Sequence, residues 1–152
     1  MTNLNDKIES FELDTDQGKF YSKDHVGKNL VLFFFPKADT TGCTKEALSF
    51  SNLINEFENL NTIVIGISKD TVEKQAKFKS KYDLKCILGS DVDIKICSKF
   101  GVWVEKSMYG KKYMGIQRST FLINTERKIQ HIWNKVKVPG HAEEVLEVVK
   151  KL

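Results

Sequence analysis

The chain has 152 residues, the length of one ordinary domain, and 41% hydrophobic with 29% charged residues is the balance of a globular protein. The formal net charge of +4 comes from lysines and arginines that are spread along the chain and mixed with acids, whereas nucleic-acid-binding proteins concentrate them in a patch. The longest apolar run, Leu30 to Phe35, is far shorter than the roughly 20 residues of a membrane-spanning helix, and we find no secretory leader pattern. We therefore expect a single domain over 1–152, in the cytoplasm, that binds neither nucleic acid nor membrane.

The predicted elements of the N-terminal half begin with a hairpin, because apolar residues flank the turn segment Asp14–Gly18. The continuous apolar run Asn29–Phe35, closed by Pro36, predicts a buried strand. Apolar residues at helical spacing then predict an amphipathic helix over Cys43–Asn59. The segment Thr62–Ile67 predicts a second buried strand.

After the second buried strand, Asp70 followed by Glu73 predicts the start of a helix that runs to Tyr82. The remaining predicted elements are a strand at Ile87–Leu88, a short helix at Asp93–Phe100, strands at Ser119–Ile123 and Lys128–Trp133, and a last helix at His141–Lys151. Strands that alternate with helices favour a three-layer α/β fold, and their order resembles a thioredoxin-like domain.

Cys43 lies where a loop after a buried strand meets the start of a predicted helix. In an open α/β sheet, ligands tend to bind at this edge. The unpaired N–H groups of a helix start favour the thiolate, which is the nucleophilic form of cysteine. Cys43 also falls on the apolar stripe of Ala47 and Phe50, so the residues alone favour a reactive thiol and a packed core thiol about equally.

The segment around Cys43 resembles a known family. Pro36, Thr40 and Cys43 form the pattern P-x-x-x-T-x-x-C, and the string FFFPKADTTGCTKEALSF is similar to the Bcp/PrxQ subfamily of peroxiredoxins (bacterioferritin comigratory protein-like thiol peroxidases). Two further blocks, over residues 100–123 and 139–146, resemble the same subfamily, so the similarity runs nearly end to end. The resemblance implies a thioredoxin-like fold, with a central mixed β-sheet flanked by helices, and a peroxidase that reduces hydrogen peroxide and organic hydroperoxides.

The resemblance also implies a role for each motif residue. Cys43 attacks a peroxide oxygen and becomes a sulfenic acid. Arg118 stabilises the thiolate and polarises the peroxide, Thr40 orients the peroxide, and Pro36 shields the sulfur from water. Taken singly, Arg118 is more readily explained as a surface charge, and Thr40 can be a helix cap and Pro36 a strand terminator, but their co-occurrence argues against these explanations together. Glu46 stays outside the predicted site, because a solvated acid in the first helical turn explains it nearly as well.

Two positions depart from the subfamily pattern. Thr41 stands where a proline usually precedes the Gly-Cys pair. Leu48 stands where many members carry a resolving cysteine, and the helix at Thr71–Tyr82, where others carry it, contains no cysteine. Cys97 is then the better remaining candidate and Cys86 the poorer, although core packing explains both. We therefore expect a one-cysteine cycle that is completed by an external thiol, such as thioredoxin, glutaredoxin or a small thiol.

The nearest alternative function is a thiol–disulfide oxidoreductase of the same fold, although that chemistry normally uses C-x-x-C and Cys43 lacks a second thiol at this spacing. A non-catalytic redox-binding protein is the other alternative. A cysteine hydrolase is disfavoured because no signature ties His25, His131 or His141 to Cys43. The cysteines and histidines show no metal-ligand spacing, so we expect neither metal nor cofactor. The resemblance favours a monomer or a weak dimer.

Overall fold

A seven-stranded sheet lies at the centre of the computed structural model, which describes residues 2–152. The strands are β1 (Glu12–Thr15), β2 (Gly18–Tyr21), β3 (Asn29–Phe34), β4 (Thr62–Ser68), β5 (Ile87–Ser90), β6 (Trp103–Met108), β7 (Lys111–Ile116), β8 (Ser119–Ile123) and β9 (Ile129–Trp133). Strands β6 and β7 form a separate two-stranded sheet, and the other seven form the central sheet. The helices are α1 (Thr41–Asn52), α2 (Ile54–Asn59), α3 (Val72–Tyr82), α4 (Lys95–Lys99) and α5 (His141–Lys150), with a 3₁₀ turn at Ser22–His25.

The sheet is mixed, and its strand order is β2-β1-β5-β4-β3-β8-β9. The central strands β3, β4 and β5 run parallel, because helices α1 and α2 connect β3 to β4 and helix α3 connects β4 to β5, each returning the chain to the same end of the sheet. Strands β1 and β8 join the two sides of this unit in antiparallel pairing. The predicted α/β class, with a central mixed sheet, flanking helices and an N-terminal hairpin, is confirmed.

Alternate residues of the sheet point into two separate hydrophobic cores. On β3 and just after it, Val31, Phe33 and Phe35 pack into what we call the front core, which also contains buried residues of α1, α2, α3 and α5. The intervening Leu32 and Phe34 pack into the back core, together with residues of α4. The sheet therefore separates the side chains of α1 from those of α4.

The predicted helix over Cys43–Asn59 is wrong in one respect, because the chain breaks it at Leu53. The N–H of Leu53 bonds the carbonyl of Phe50 at 3.1 Å, which is a tighter turn than the α-helix makes. The side chains of Phe50, before the break, and Phe57, after it, both lie in the front core. The helix also begins two residues before Cys43, at Thr41.

The hairpin of β6 and β7 was not predicted. Its turn consists of Tyr109 and Gly110, whose φ angles of 52° and 79° are those that a two-residue hairpin turn requires. A glycine after an aromatic residue is a weaker hairpin signal than Asn-Gly or Asp-Gly, which explains why the pattern was missed. None of the helices described within residues 2–152 has the length and apolar character needed to cross a membrane.

Candidate active site

Cys43 is the third residue of α1, at the carboxyl end of β3. Its side chain is 1% exposed and lies in the front core. The N–H of Thr44 bonds the carbonyl of Thr40 at 2.9 Å, so the preceding N–H groups, including that of Cys43, have no acceptor inside the helix. Thr41 occupies the first helical position, where proline is favoured because its fixed φ suits the helix, although any residue can adopt that φ and no N–H bond is needed there. Its replacement of the usual proline therefore leaves the helix start intact.

The guanidinium of Arg118 connects Cys43 with Glu46. Nη2 donates to Sγ of Cys43 at 3.3 Å, and Nη1 donates to Oε1 of Glu46 at 2.6 Å. A Cβ atom at Gly42 would lie 3.3 Å from Nη2, so the glycine leaves the space in which the guanidinium sits. The main-chain carbonyl of Arg118 accepts from the N–H of Val136 at 2.9 Å, which holds this residue against the segment after β9.

Glu46 is a member of this group that the sequence interpretation left out. Its residue surface is 1% exposed, and Oε2 has no hydrogen-bond partner within residues 2–152. Burial raises the pKa of Glu46 to about 7, against the opposing attraction of Arg118. Burial also works to lower the pKa of Arg118, but the neighbouring Glu46 and Cys43 outweigh it and the pKa is raised. The spacing of Glu46, three residues after Cys43 on one helix, was the available signal.

Thr40 and Pro36 flank the loop before α1. Thr40 is the N-cap residue, yet its hydroxyl caps no helical N–H and instead donates to the carbonyl of Lys37 at 2.9 Å. Because a hydroxyl has one donor and two lone pairs, the oxygen of Thr40 can still accept a hydrogen bond. Pro36 lies two residues after the end of β3 and is partly exposed.

Three hydrogen bonds, one of Ala38 and two of Asp39, connect the same loop with residues that lie beside it in the fold. The N–H of Ala38 donates to Oδ2 of Asp70 at 2.8 Å. Asp39, with a φ of 61°, accepts from the hydroxyl of Tyr82 at 2.5 Å and from Nζ of Lys81 at 2.9 Å. We call the contact of Asp39 with Tyr82 and Lys81 the loop anchor. It joins the residue before Thr40 to the end of α3.

The other two cysteines lie apart from Cys43 in different ways. Cys97 belongs to the back core, so the sheet separates it from Cys43. Cys86 lies in the front core with no exposed surface, and its sulfur accepts from the Ser51 hydroxyl at 3.6 Å. The predicted ranking of Cys97 above Cys86 as a resolving partner therefore has no support from position. Leu48, at the usual resolving position, packs against the front core.

Burial also suppresses the reactivity of both thiols. It raises the pKa of Cys86 to about 11, which Ser51 opposes only partly. Burial and a hydrogen bond with Asp91 raise the pKa of Cys97 well above its ordinary value. Both residues therefore remain thiols near neutral pH, and the thiol is a poor nucleophile.

Two further residues that the sequence interpretation did not include lie near the site. Burial lowers the pKa of Lys106 on β6, Arg118 adds to the effect, and the charge of Cys43 opposes it. The ring of His141, at the start of α5, is 2.7 Å from the hydroxyl of Thr120 on β8. Burial lowers the pKa of His141 to about 4, Glu144 opposes this, and Arg118 reinforces it.

Comparison with known proteins identifies relatives over nearly the whole chain. Residues 4–132 match the model of the AhpC/TSA family. The chain is 47% identical to a putative peroxiredoxin bcp of Coxiella burnetii, over 92% of this chain and 93% of that protein. It is 41% identical to peroxiredoxin Bcp of Bacillus subtilis, over 98% of this chain and 96% of that protein.

Solved structures agree with these relatives. A mutant of PrxQ from Xylella fastidiosa superposes with a TM-score of 0.95 at 38% identity, over 99% of this chain and 97% of that one. The bacterioferritin comigratory protein of Xanthomonas campestris, whose structures were obtained as trapped intermediate and ligand complexes in work on its alkyl peroxide reduction activity, has a TM-score of 0.88 at 39% identity. That likeness covers 93% of this chain and 90% of the other.

Proposed function

Because the chain belongs to the AhpC/TSA family and is a Bcp/PrxQ-type peroxiredoxin, a thiol peroxidase that reduces hydroperoxides, we propose that Cys43 is its peroxidatic cysteine. The observation that supports this role most directly is the contact of 3.3 Å between Nη2 of Arg118 and Sγ of Cys43. A fixed cation beside a sulfur at a helix start favours the thiolate over the thiol. At Cys86 the charge of Lys79 does not offset the effect of burial, which raises the pKa, and the charged neighbour of Cys97 is the carboxylate of Asp91.

In the first step, the thiolate of Cys43 attacks the nearer oxygen of the hydroperoxide. The S–O bond forms as the O–O bond breaks, and the leaving oxygen takes up a proton to become water or an alcohol. Arg118 polarises the O–O bond, and the N–H groups at the start of α1 stabilise the charge on the leaving oxygen. Thr40 accepts a hydrogen bond from the peroxide, and Pro36 limits access of water to the sulfur.

In the second step, an external thiol reduces the sulfenic acid of Cys43, and thioredoxin is one candidate. The burial of Cys86 and the position of Cys97 across the sheet support a one-cysteine cycle. A disulfide needs Cα atoms no more than about 7 Å apart, so Cys97 would have to leave the back core to form one. We also propose that residues 1–152 act as one domain, as a monomer or weak dimer. A location in the cytoplasm is supported by the three cysteines, which are all free thiols.

The test of the peroxidatic role is peroxide consumption with dithiothreitol as reductant. Cys43→Ser should abolish turnover. Cys97→Ala should retain it, because Cys97 lies in the back core, on the other side of the sheet from Cys43. Unchanged turnover by Cys43→Ser would refute the role of Cys43.

The one-cysteine cycle is tested separately, by mass spectrometry after one equivalent of hydrogen peroxide and a sulfenic-acid trap. The trapped adduct should be found on Cys43. A stoichiometric disulfide between Cys43 and either Cys86 or Cys97 would instead establish a two-cysteine cycle.

A further inference from the structure

A groove lies between the loop that precedes Cys43 and the outer face of α3. One side is formed by loop residues 37–39, and the other by Lys74, Lys77 and Lys81, with the buried Phe78 beneath them. Its volume of about 550 Å³ lies within the range of roughly 300–1,000 Å³ that is usual for small-molecule sites. The groove therefore has the size of a site for a small organic ligand.

The groove carries positive charge that the protein does not neutralise. Its two carboxylates, Asp39 and Asp70, are both engaged in hydrogen bonds with the protein. Of its lysines, Lys81 pairs with Asp39, while the other three, at positions 37, 74 and 77, form no ion pair within residues 2–152. Ammonium groups around an apolar base suit a ligand that carries carboxylates.

The groove also adjoins the reaction centre. The carbonyl of Lys37, on the loop side of the groove, accepts the hydroxyl hydrogen of Thr40 at 2.9 Å, and Cys43 follows one turn later. Three extended residues span about 10 Å, so a tripeptide-sized ligand can contact both the α3 lysines and loop residues 37–39, which line the same groove. Because Cys43 is 1% exposed, the site has to open before any reductant contacts the sulfur, and this loop is the segment that joins the groove to Cys43.

The proposed catalytic cycle needs such a ligand. Cys97 lies across the sheet from Cys43, and Cys86 is a fully buried thiol, so in the proposed one-cysteine cycle the electrons come from outside the chain. On the premise of that cycle, we propose that the groove beside α3 binds a small thiol that carries carboxylates, and that this thiol is the reductant of Cys43.

The chemistry balances with two molecules of the small thiol. The first attacks the sulfenic sulfur of Cys43, which forms a mixed disulfide and releases water. The second attacks the sulfur of the bound thiol, which forms the free disulfide and returns Cys43 to its reduced state. The peroxide gains the two electrons that the two small thiols lose.

Glutathione, a tripeptide thiol with two carboxylates, is the probe of this site. Its turnover of peroxide is measured in a coupled assay beside the turnover with dithiothreitol, which is uncharged. Lys74→Glu/Lys77→Glu should raise the apparent KM for glutathione roughly tenfold, and it should lower the ratio of glutathione-driven to dithiothreitol-driven turnover. Thermal melting of each variant establishes that it is folded.

The matched control is Lys23→Glu/Lys151→Glu, which changes the net charge by the same amount at exposed positions outside the groove. It should behave as the wild type with both thiols. Cysteamine, a cationic thiol, should show no saturation in the concentration range where glutathione saturates.

Three results would overturn the inference while leaving the peroxidase role of Cys43 intact. They are an unchanged glutathione KM in the α3 variant, equal shifts in the α3 variant and its control, and rapid turnover with dithiothreitol but none with glutathione. The last result would point to a protein thiol as the reductant. If neither thiol supported turnover in the wild type, this inference would fail, whereas trapping of a sulfenic acid on Cys43 would still decide its peroxidatic role separately.

Discussion

Nη1 of Arg118 and Oε1 of Glu46 are 2.6 Å apart, in a position where almost no solvent reaches the carboxyl group. The pair therefore joins a permanent cation to an acid whose pKa burial raises to about 7. Near neutral pH the charge of Glu46 varies with small changes of pH, while the charge of Arg118 does not. Substitution of Glu46 should consequently change how stability depends on pH, whereas substitution of Arg118 should change the rate of reaction with peroxide.

The first prediction concerns Glu46→Gln and stability. The folded-state pKa of about 7 is above the ordinary value of 4.5, so between these values the folded protein holds a proton that the unfolded chain has lost. Glu46 thus contributes stability that is complete below about pH 4.5 and is lost as the pH rises through about 7. Relative to Glu46→Gln, the wild type should lose at most about 3 kcal/mol of unfolding free energy across this window. Urea unfolding at several pH values measures the difference, and a difference independent of pH would contradict it.

The second prediction concerns His141, where the sign is opposite. Its folded-state pKa of about 4 is below the ordinary 6.5, so the unfolded chain binds a proton first as the pH falls. The stability that His141 contributes is complete above about pH 6.5 and is lost as the pH falls through about 4. Relative to His141→Gln, the wild type should therefore gain stability as the pH rises over this range. The same urea titrations test it, and parallel curves for the two proteins would show that the histidine is not involved.

The third prediction concerns Arg118→Lys. Lysine keeps the positive charge but loses the fork of donors, so it cannot contact Cys43 and Glu46 at the same time. We expect the second-order rate constant for peroxide to fall by about 10- to 100-fold, and by more in Arg118→Ala. Stopped-flow measurement under single-turnover conditions separates this step from recycling.

Arg127→Lys is the matched control for that substitution. Arg127 is buried, whereas Arg118 is partly exposed, and it donates to three main-chain carbonyls, at Ser22, His25 and Lys28, none of which belongs to the group around Cys43. This control should lower the melting temperature without a comparable loss in the peroxide rate constant. Equal rate losses in the two variants would mean that Arg118 acts only through the fold.

The fourth prediction concerns the loop anchor. Asp39→Asn keeps the shape of the side chain and removes its charge, which weakens the contacts with Tyr82 and Lys81. Because the anchor holds the loop before Cys43 against α3, the variant should react several-fold faster with a bulky thiol reagent. Tyr82→Phe should act in the same direction, and the double variant should show less than the sum of the two effects.

Asp83→Asn supplies the comparison for the anchor, since it removes an exposed ion pair with Lys85 only two residues from Lys81. It should leave the alkylation rate of Cys43 near that of the wild type. If Asp39→Asn reacted at the wild-type rate too, the anchor would have no part in exposing the sulfur.

Much of this fold could be predicted because its signals are local. The apolar run of β3 and the helical spacing of α5 identify their elements with errors of one residue at an end. The start of α3 was misassigned, because Thr71 rather than Asp70 caps it. Asp70 instead accepts the N–H of Ala38, 32 residues away, a contact that no local pattern reveals.

In the site, too, contacts between residues that are distant in the sequence could not be predicted. The motif identified Cys43, Thr40 and Arg118 as candidates, but whether Glu46 faces solvent or the core depends on the position of Arg118, 72 residues later. The relation of Cys97 to Cys43 likewise depends on which side of the sheet each helix covers. Sequence spacing contains neither piece of information, because both arise from the order of strands in the sheet.

The burial of Cys86 and Cys97 has a practical consequence for any study of oxidative damage to this protein. On the proposed role of Cys43, each molecule contains one thiol that reacts with peroxide and two thiols that are buried on opposite sides of one sheet. With excess peroxide, the sulfinic and sulfonic forms should therefore accumulate on Cys43 alone while the fold persists. The two enclosed cysteines are an internal standard: their oxidation reports unfolding, and that of Cys43 reports exposure to oxidant.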